Sequence, residues 1–311
     1  MKVHKPTAID SFQDLARVEP VIYDNSSIME YKKCARAYKF RMVLGYTEKV
    51  EPLYFVWGTA LHKFWETLEV QTKKGMGAGP AFKRAILEAS VAFDKRYIPP
   101  KDQKNKWAWM TKARMKVAAE SLYKFWLKEK SLGRIEVIAV EQPFVVELFD
   151  NVFIGGRADQ ILQIQGGDKY GRDLKNTTKG LKYFQRDLDP NHQFILYTYA
   201  ESILTNSNVK GQLILAASTM KTQPTEVEQY TINYTKHQIE DWRKECGVWI
   251  KRIEESRRTD IYPANENSCW RCQFHWVCKQ KGALSQANTL KRSYKHEPWD
   301  HQNPGKKTII E

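Results

Sequence analysis

The 311-residue sequence contains neither a G-x-x-x-x-G-K-[ST] loop nor a G-x-G-x-x-G fingerprint. Both motifs bring backbone N–H groups against phosphates, so their absence argues against nucleotide hydrolysis and dinucleotide binding. Long apolar runs are missing too: none approaches the ~18–20 residues that a membrane span requires. The opening stretch, MKVHKPTAIDSFQDLARVEP, carries no apolar signal core, so secretion is not indicated and a cytoplasmic chain is expected. Cysteine is scarce, at five residues. In a reducing compartment such cysteines are read as ligands or core thiols rather than disulfides.

Basic charge is what the sequence has in excess. Lys and Arg number 50 against 36 Asp and Glu, a formal net charge of +14. An excess of this size favours a polyanionic partner, because each neutralised phosphate releases condensed counterions. Ten Trp within 12% aromatic residues would supply base-stacking surfaces, although most such rings belong to a core.

The first ~130 residues read as mainly helical. NSSIMEYKKCARAYKFRMVLGY opens with a Ser27-x-x-Glu30 capping pattern, and GTALHKFWETLEV sets Leu61, Phe64, Trp65 and Leu68 on one stripe. Helices are also expected over about 80–95 and 106–130. The texture then turns strand-like in IEVIAVEQPFVVEL, VFIGGRADQILQIQ and GRDLKNTT, with QGGDKYG as a turn between the last two. DPNHQFILYTYAESILTN predicts a helix capped by Asp189 with Pro190 at its first position. GQLILAAST and VEQYTINYT return to strand, and Thr235 caps a long amphipathic helix over roughly 236–257. The order argues for an α/β domain with a mixed central sheet. The expected divisions are an extension at 1–24, a helical region at 25–133, a core at 134–260, a cysteine segment at 261–283 and a basic, loosely ordered tail at 284–311.

Within that frame one group of side chains carries chemistry. Asp159 and Asp173 fall on successive strands across a turn, and Asp173 and Lys175 leave the same face of their strand. Two carboxylates at a strand end are hard oxygen ligands suited to Mg²⁺ or Mn²⁺, and a neighbouring ammonium can orient a water or offset phosphate charge. Gln193 and Tyr197, at i and i+4, share one face of the following helix. His62 could add an imidazole ligand. Taken singly, each feature also fits an ordinary surface pair or a packed helix face. Glu66 and Glu69 are expected to be solvated or paired with Lys63 and Lys73.

A second group lies near the end of the chain. CWRCQFHWVC places Cys269, Cys272 and Cys278 within ten positions, a metal- or cluster-like spacing that lacks the usual fourth thiol. Cys246 lies mid-helix and reads as a core thiol.

Assembled in order, these stretches resemble the PD-(D/E)XK nuclease superfamily. They are most similar to its RecB-like exonuclease branch, which includes the AddB nuclease domain and the CRISPR-associated exonucleases with four cysteines. SSIMEYKKCARAYKF resembles the family's opening helix, GTALHKFWE its histidine motif and GGRADQI its first aspartate motif. DLK resembles the D/E-x-K motif, QFILY the Q-x-x-x-Y motif and CWRCQFHWVC the closing cysteines, over roughly residues 25–280. Two departures stand out: Ala35 follows Cys34 where the family often has Pro, and Gly171 and Arg172 are more polar than the usual approach to Asp173.

The resemblance implies a restriction-endonuclease-like mixed sheet flanked by helices, with an N-terminal helical region and a C-terminal cysteine-cluster loop. It implies Mg²⁺ or Mn²⁺ held by His62, Asp159, Asp173 and the Leu174 carbonyl, with Lys175 positioning and activating water and Gln193 and Tyr197 contacting the DNA backbone or bracing the site. It also implies Cys34 as the fourth thiol of a [4Fe–4S] cluster, with Zn²⁺ as the alternative occupant. The expected activity is exonucleolytic cleavage of single-stranded DNA or DNA ends in recombination, repair, phage DNA metabolism or CRISPR adaptation. The setting would be a bacterial, archaeal or phage-infected cytoplasm, and any helicase would be a separate chain. The competing expectations are a non-catalytic nucleic-acid-binding protein with a structural zinc or iron–sulfur site, and an iron–sulfur redox or scaffold protein.

Overall fold

The computed structural model describes residues 21–99 and 106–300, in which strands and helices form two compact units, each built from separated segments. Of the expected extension at 1–24, residues 1–20 lie outside the described residues, as does the end of the tail at 301–311. Among the described residues no helix is long and apolar enough to cross a membrane.

The first unit comprises the segments Val50–Gln142 and Ala158–Tyr234. Its helical part consists of α3 (Leu53–Lys73), α4 (Ala78–Arg96) and α5 (Lys112–Leu132). Its strands are β5 (Lys169–Thr177), β6 (Val209–Ser218) and β7 (Glu226–Asn233), with the parts of β3 (Ile135–Phe149) up to Gln142 and of β4 (Val152–Ile164) from Ala158. β4 and β5 are antiparallel, β5 and β6 parallel, and β6 and β7 antiparallel. The parallel step is bridged by α6 (Leu181–Gln185) and α7 (His192–Leu204), the crossover connection that parallel pairing needs. The observed class is therefore mixed α/β with a central mixed sheet, as expected.

Helical periodicity explains how this unit closes. Val56, Trp57, Ala60, Leu61, Phe64 and Leu68 of α3 are buried against alanine-rich stripes of α4 and α5 and against Leu174, Leu215 and Ala217 of the sheet. Alternation on β5 does the rest. Leu174 points into that apolar cluster, so Asp173 and Lys175 must point the other way. The tight turn between β4 and β5 uses Gly166 and Gly167 at φ +105° and +97°, a backbone region that favours glycine.

The second unit comprises Met1–Lys49, Pro143–Arg157 and Thr235–Glu311. β1 (Val21–Asp24) pairs in parallel with the start of β4. It runs directly into α1 (Asn25–Lys33), followed by α2 (Ala35–Tyr38) and a π-helical turn over Lys39–Val43. The expected capping pattern shifts by three residues: Asp24 is the N-cap, its side chain accepts from the Ser27 N–H, and Ser27 closes the box. The expected long first helix is also interrupted, because Cys34 adopts an extended conformation between α1 and α2. Thr235 caps α8 (Lys236–Thr259) through a capping box with Gln238, as the sequence indicates.

The first part of the tail expected to be loose at 284–311 instead lies in α10 (Ala283–Ser293) and β8 (Tyr294–His296). β8 pairs antiparallel with β2 (Tyr46–Glu48). Tyr294 and Leu290 pack with Phe274, Phe40 and Val277 in a small apolar cluster, which supplies the burial that fixes this segment.

The α7 cap likewise differs from expectation. The helix begins at His192 with Asn191 as N-cap, its side chain accepting from the Gln193 N–H. The Asp189–Pro190 peptide, cis in this structure, precedes the helix rather than opening it.

Candidate active site

The turn length sets the register of β4 and β5, with Gln160 opposite Arg172. Extending that register by one residue sets Asp159 opposite Asp173. The regular ladder ends at this point, while β5 continues alongside β6, where Asp173 pairs with Ile214 and Lys175 with Ala216. The two carboxylates therefore sit where neighbouring strands part.

α3 supplies the third group. Its buried face packs on the sheet, and the Trp65 indole N–H donates to the Gln160 side-chain oxygen at 2.9 Å. That contact fixes the helix beside the residue following Asp159. His62, on the adjoining face, places Nδ1 3.1 Å from Asp159 Oδ2, and the same oxygen accepts from the Leu174 N–H at 3.2 Å. Leu174 itself is buried in the core.

Lys175 holds the other end. Its Nζ lies 2.8 and 3.0 Å from the two Asp173 oxygens and donates to Gln193 Oε1 at 3.0 Å. Gln193 Nε2 donates in turn to the Tyr197 hydroxyl at 2.8 Å. His62, Asp159, Asp173, Lys175, Gln193 and Tyr197 are thereby brought together within one unit.

One residue that sequence reasoning passed over joins them. Glu141 of β3 offers a carboxylate oxygen, and its ligand atom and those of His62 and Asp159 all lie within 4.8 Å of one another. Its backbone sits at φ +50°, an uncommon conformation for a non-glycine residue. The sequence signal is slight, a glutamate two residues before Pro143 in a strand-like run. An imidazole and carboxylates converging on one point form a donor set suited to a hard divalent cation.

The electrostatics follow from burial and charge. Burial alone would lower the His62 imidazole, but the Asp159 carboxylate, its hydrogen bond and the Asp173 charge raise it to about 9. Burial acts to raise Asp159, yet the His62 charge and hydrogen bond, Lys175 and the Leu174 N–H hold it below the usual carboxylate range. Asp173 lies above that range, because burial and the nearby Asp159 charge outweigh Lys175. Burial also pushes the Tyr197 phenol well above its ordinary value, so it remains neutral.

The polar approach to Asp173 has a structural reason. Arg172 is 1% exposed; its guanidinium pairs with Glu129 and donates to Gln160 Oε1 at 3.4 Å. Gly171 is required by close approach: an added Cβ would lie 2.2 Å from Glu201 Oε2 and 2.3 Å from the Gln212 amide. That buried pair is joined by a 2.7 Å hydrogen bond, and burial raises the Glu201 carboxyl well above its ordinary range. Glu66 pairs with Lys63 as expected. Glu69, however, pairs with Lys130, while Lys73 donates to backbone carbonyls of β3.

In the other unit, Cys34, Cys269, Cys272 and Cys278 all line one cavity of about 180 Å³. The three later cysteines come from a 3-10 turn (Glu266–Arg271) and α9 (His275–Cys278). The extended backbone at Cys34 lets Sγ accept from the Asn265 N–H at 3.4 Å. All five cysteines are free thiols. Burial raises Cys272 and Cys278, opposed at Cys278 by Arg36. Among the described residues no three of these sulfurs fall within 4.8 Å of one another. Cys246 is buried in α8 away from this group, and burial raises its thiol.

The sequence matches the PD-(D/E)XK nuclease superfamily over residues 25–279. Among solved structures it is similar to the "Putative exonuclease" of Eubacterium rectale, at 14% identity and a TM-score of 0.54, covering 90% of this chain and 97% of that one. A weaker likeness is to the protein SSO0001, at 12% identity and a TM-score of 0.34, covering 86% of this chain and 89% of that one. No curated protein matches the sequence.

Proposed function

The chain belongs to the PD-(D/E)XK nuclease superfamily, and on that premise we propose that it is a divalent-metal-dependent deoxyribonuclease of the RecB-like branch. Its substrate in this reading is single-stranded DNA or DNA ends, in a cytoplasmic setting. One observation carries the proposal. Side chains spread over more than a hundred positions form two contacts, His62–Asp159 and Asp173–Lys175, at strand positions that the β4–β5 register sets opposite each other where the ladder ends.

The donor set fits a hard cation: His62, Glu141 and Asp159 already gather their ligand atoms, and Asp173 stands opposite Asp159. These residues, with the Leu174 carbonyl, would hold Mg²⁺ or Mn²⁺. Such an ion supplies Lewis-acid polarisation of the phosphoryl oxygen and charge stabilisation at the leaving 3′-oxygen. Lys175, fixed between Asp173 and Gln193, orients the attacking water and offsets phosphate charge. The Gln193–Tyr197 pair keeps the ammonium in place and offers the phenol hydroxyl to the DNA backbone.

The four thiols supply soft ligands, and we read their cavity as the seat of a [4Fe–4S] cluster with a structural role. It would tie Cys34 to the segment 269–278 within one unit, closing a long chain loop on binding. One tetrahedral zinc would need sulfurs about 3.8 Å apart at Zn–S distances of ~2.3 Å, closer than any three of these sulfurs gather among the described residues.

The test is digestion of end-labelled single- and double-stranded DNA with Mg²⁺ or Mn²⁺. Wild type should degrade it, while Asp173→Ala and Lys175→Ala should retain binding and lose about 10²–10⁴-fold in rate. Binding without cleavage by wild type in either metal would refute the enzyme reading.

A further inference from the structure

The face of α3 that presents His62 carries an aromatic feature that the nuclease reading leaves unused. Phe55 lies seven residues before His62, so the two project from nearly the same side of the helix, about 10 Å apart along its axis. Phe55 is 56% exposed and Tyr54 43% exposed. Their rings are 4.6 Å apart, and Trp107 stands 5.8 Å from Tyr54. Lys106 Nζ lies over Trp107 at 4.9 Å. Three rings and a cation thus form a continuous patch beside the metal-ligand cluster, all within one unit.

Gly58 lies between Phe55 and His62 on this face, and a Cβ added there would meet none of the described residues within 4 Å. Thr59, beside it, is held by Arg96 at 2.6 Å, and Lys63 lies next to His62. Among the described residues the track therefore has an unobstructed floor. A single isolated aromatic on a surface needs no explanation, but a grouped set aligned with a metal site does.

Resting on the nuclease reading above, we infer that Phe55 and Tyr54, with Trp107, form a base-stacking subsite for single-stranded DNA whose adjoining phosphate lies at His62, Asp159 and Asp173. Basic groups border the track: Lys106 stands over Trp107, and Arg96, paired with Glu51, holds Thr59. The span from ring to imidazole corresponds to about one or two nucleotides of an extended strand. Ring faces can stack only on bases whose own faces are free. Inside a duplex those faces are covered by neighbouring pairs, so the subsite selects single strands and frayed ends. Stacking is tolerant of base identity, so no sequence preference follows from it.

The experiment measures binding by fluorescence anisotropy in Ca²⁺, with a labelled single-stranded oligonucleotide and a closed hairpin duplex without free ends, beside cleavage in Mg²⁺ or Mn²⁺. Phe55→Ala combined with Tyr54→Ala should weaken single-strand binding about ten- to a hundredfold, from stacking losses of this class, and raise KM more than it lowers kcat. Hairpin binding should change less than twofold. Phe55→Trp should preserve binding and Phe55→Leu should not. Gly58→Gln, a better helix former than glycine, should raise thermal stability yet weaken single-strand binding by obstructing the track.

Equal losses on both DNAs, rescue by leucine as complete as by tryptophan, or unimpaired binding by Gly58→Gln would each overturn the subsite. The predicted binding pattern without cleavage by wild type would refute the nuclease reading and leave the subsite standing. Cleavage with unaltered binding by the aromatic variants would do the reverse.

Discussion

Metal binding at this site should depend steeply on pH, and the structure sets both the sign and the size. In the ion-free protein His62 titrates at about 9, held up by its contact with Asp159. A metal takes only the neutral imidazole, so below pH 9 each binding event expels one proton. Affinity should therefore rise about tenfold per pH unit as pH increases towards 9, then level off. From pH 6 to pH 8 the gain is about a hundredfold from this group alone. Asp173, whose carboxyl also lies above its ordinary range, steepens the acid end further.

Calorimetric titration of Mn²⁺ in buffers of different ionisation enthalpy reads both affinity and proton release. Wild type at pH 7 should release close to one proton, and His62→Gln should bind more weakly with most of the pH dependence gone. A flat affinity between pH 6 and 8, or an unchanged slope in His62→Gln, would show that the imidazole does not meet the ion. The same shift gives a stability signature without metal. The stabilisation from the charged His62–Asp159 contact is complete below about 6.5, the ordinary imidazole value. It is lost as pH rises through about 9.

Three further outcomes follow from the packing. Gly171→Ala forces a methyl into the Glu201–Gln212 pair and should cost about 1–3 kcal/mol, read as a lower denaturant midpoint without loss of the active-site side chains. Arg172→Met leaves the Glu129 carboxylate without its buried partner and should destabilise by about 3–5 kcal/mol; a loss below 1 kcal/mol would contradict that pairing. Replacing Cys34 or Cys272 with Ser should abolish iron and acid-labile sulfide in anaerobically prepared protein, whereas Cys246→Ser, outside the cavity, should leave both unchanged.

The parts of the fold that the sequence reveals are those controlled by local chemistry. The Gly166–Gly167 turn marks where β4 ends and β5 begins, which puts Asp159 and Asp173 on neighbouring strands, while their direct opposition depends on the register that the structure supplies. Thr235 and Gln238 cap α8 with their own side chains, and the spacing of α3 distinguishes its buried stripe from the face of His62. Other features depend on distant partners and leave no local mark. Nothing near Cys34 signals a helix break, because the extended backbone there serves a thiol whose neighbours lie more than two hundred residues away.

Gly171 and Arg172 look too polar for a buried strand until Glu129, Glu201 and Gln212 are seen to receive them. Glu141 is one glutamate among several on β3, and its place beside His62 and Asp159 follows from the path of the strand. The segment 283–296 has few apolar residues, and Leu290 and Tyr294 suffice only because Phe274 is there to pack against. Asp24 displaces Ser27 as the helix cap because β1 delivers the chain straight into α1.

The most direct measurement is the anomalous scattering of Mn²⁺ in crystals grown with a short single-stranded oligonucleotide. A peak should appear within coordination distance of His62, Asp159 and Asp173, touching a phosphate, with Lys175 on the nucleophile's side. Manganese bound elsewhere, with those side chains turned away from any phosphate, would contradict the proposed site.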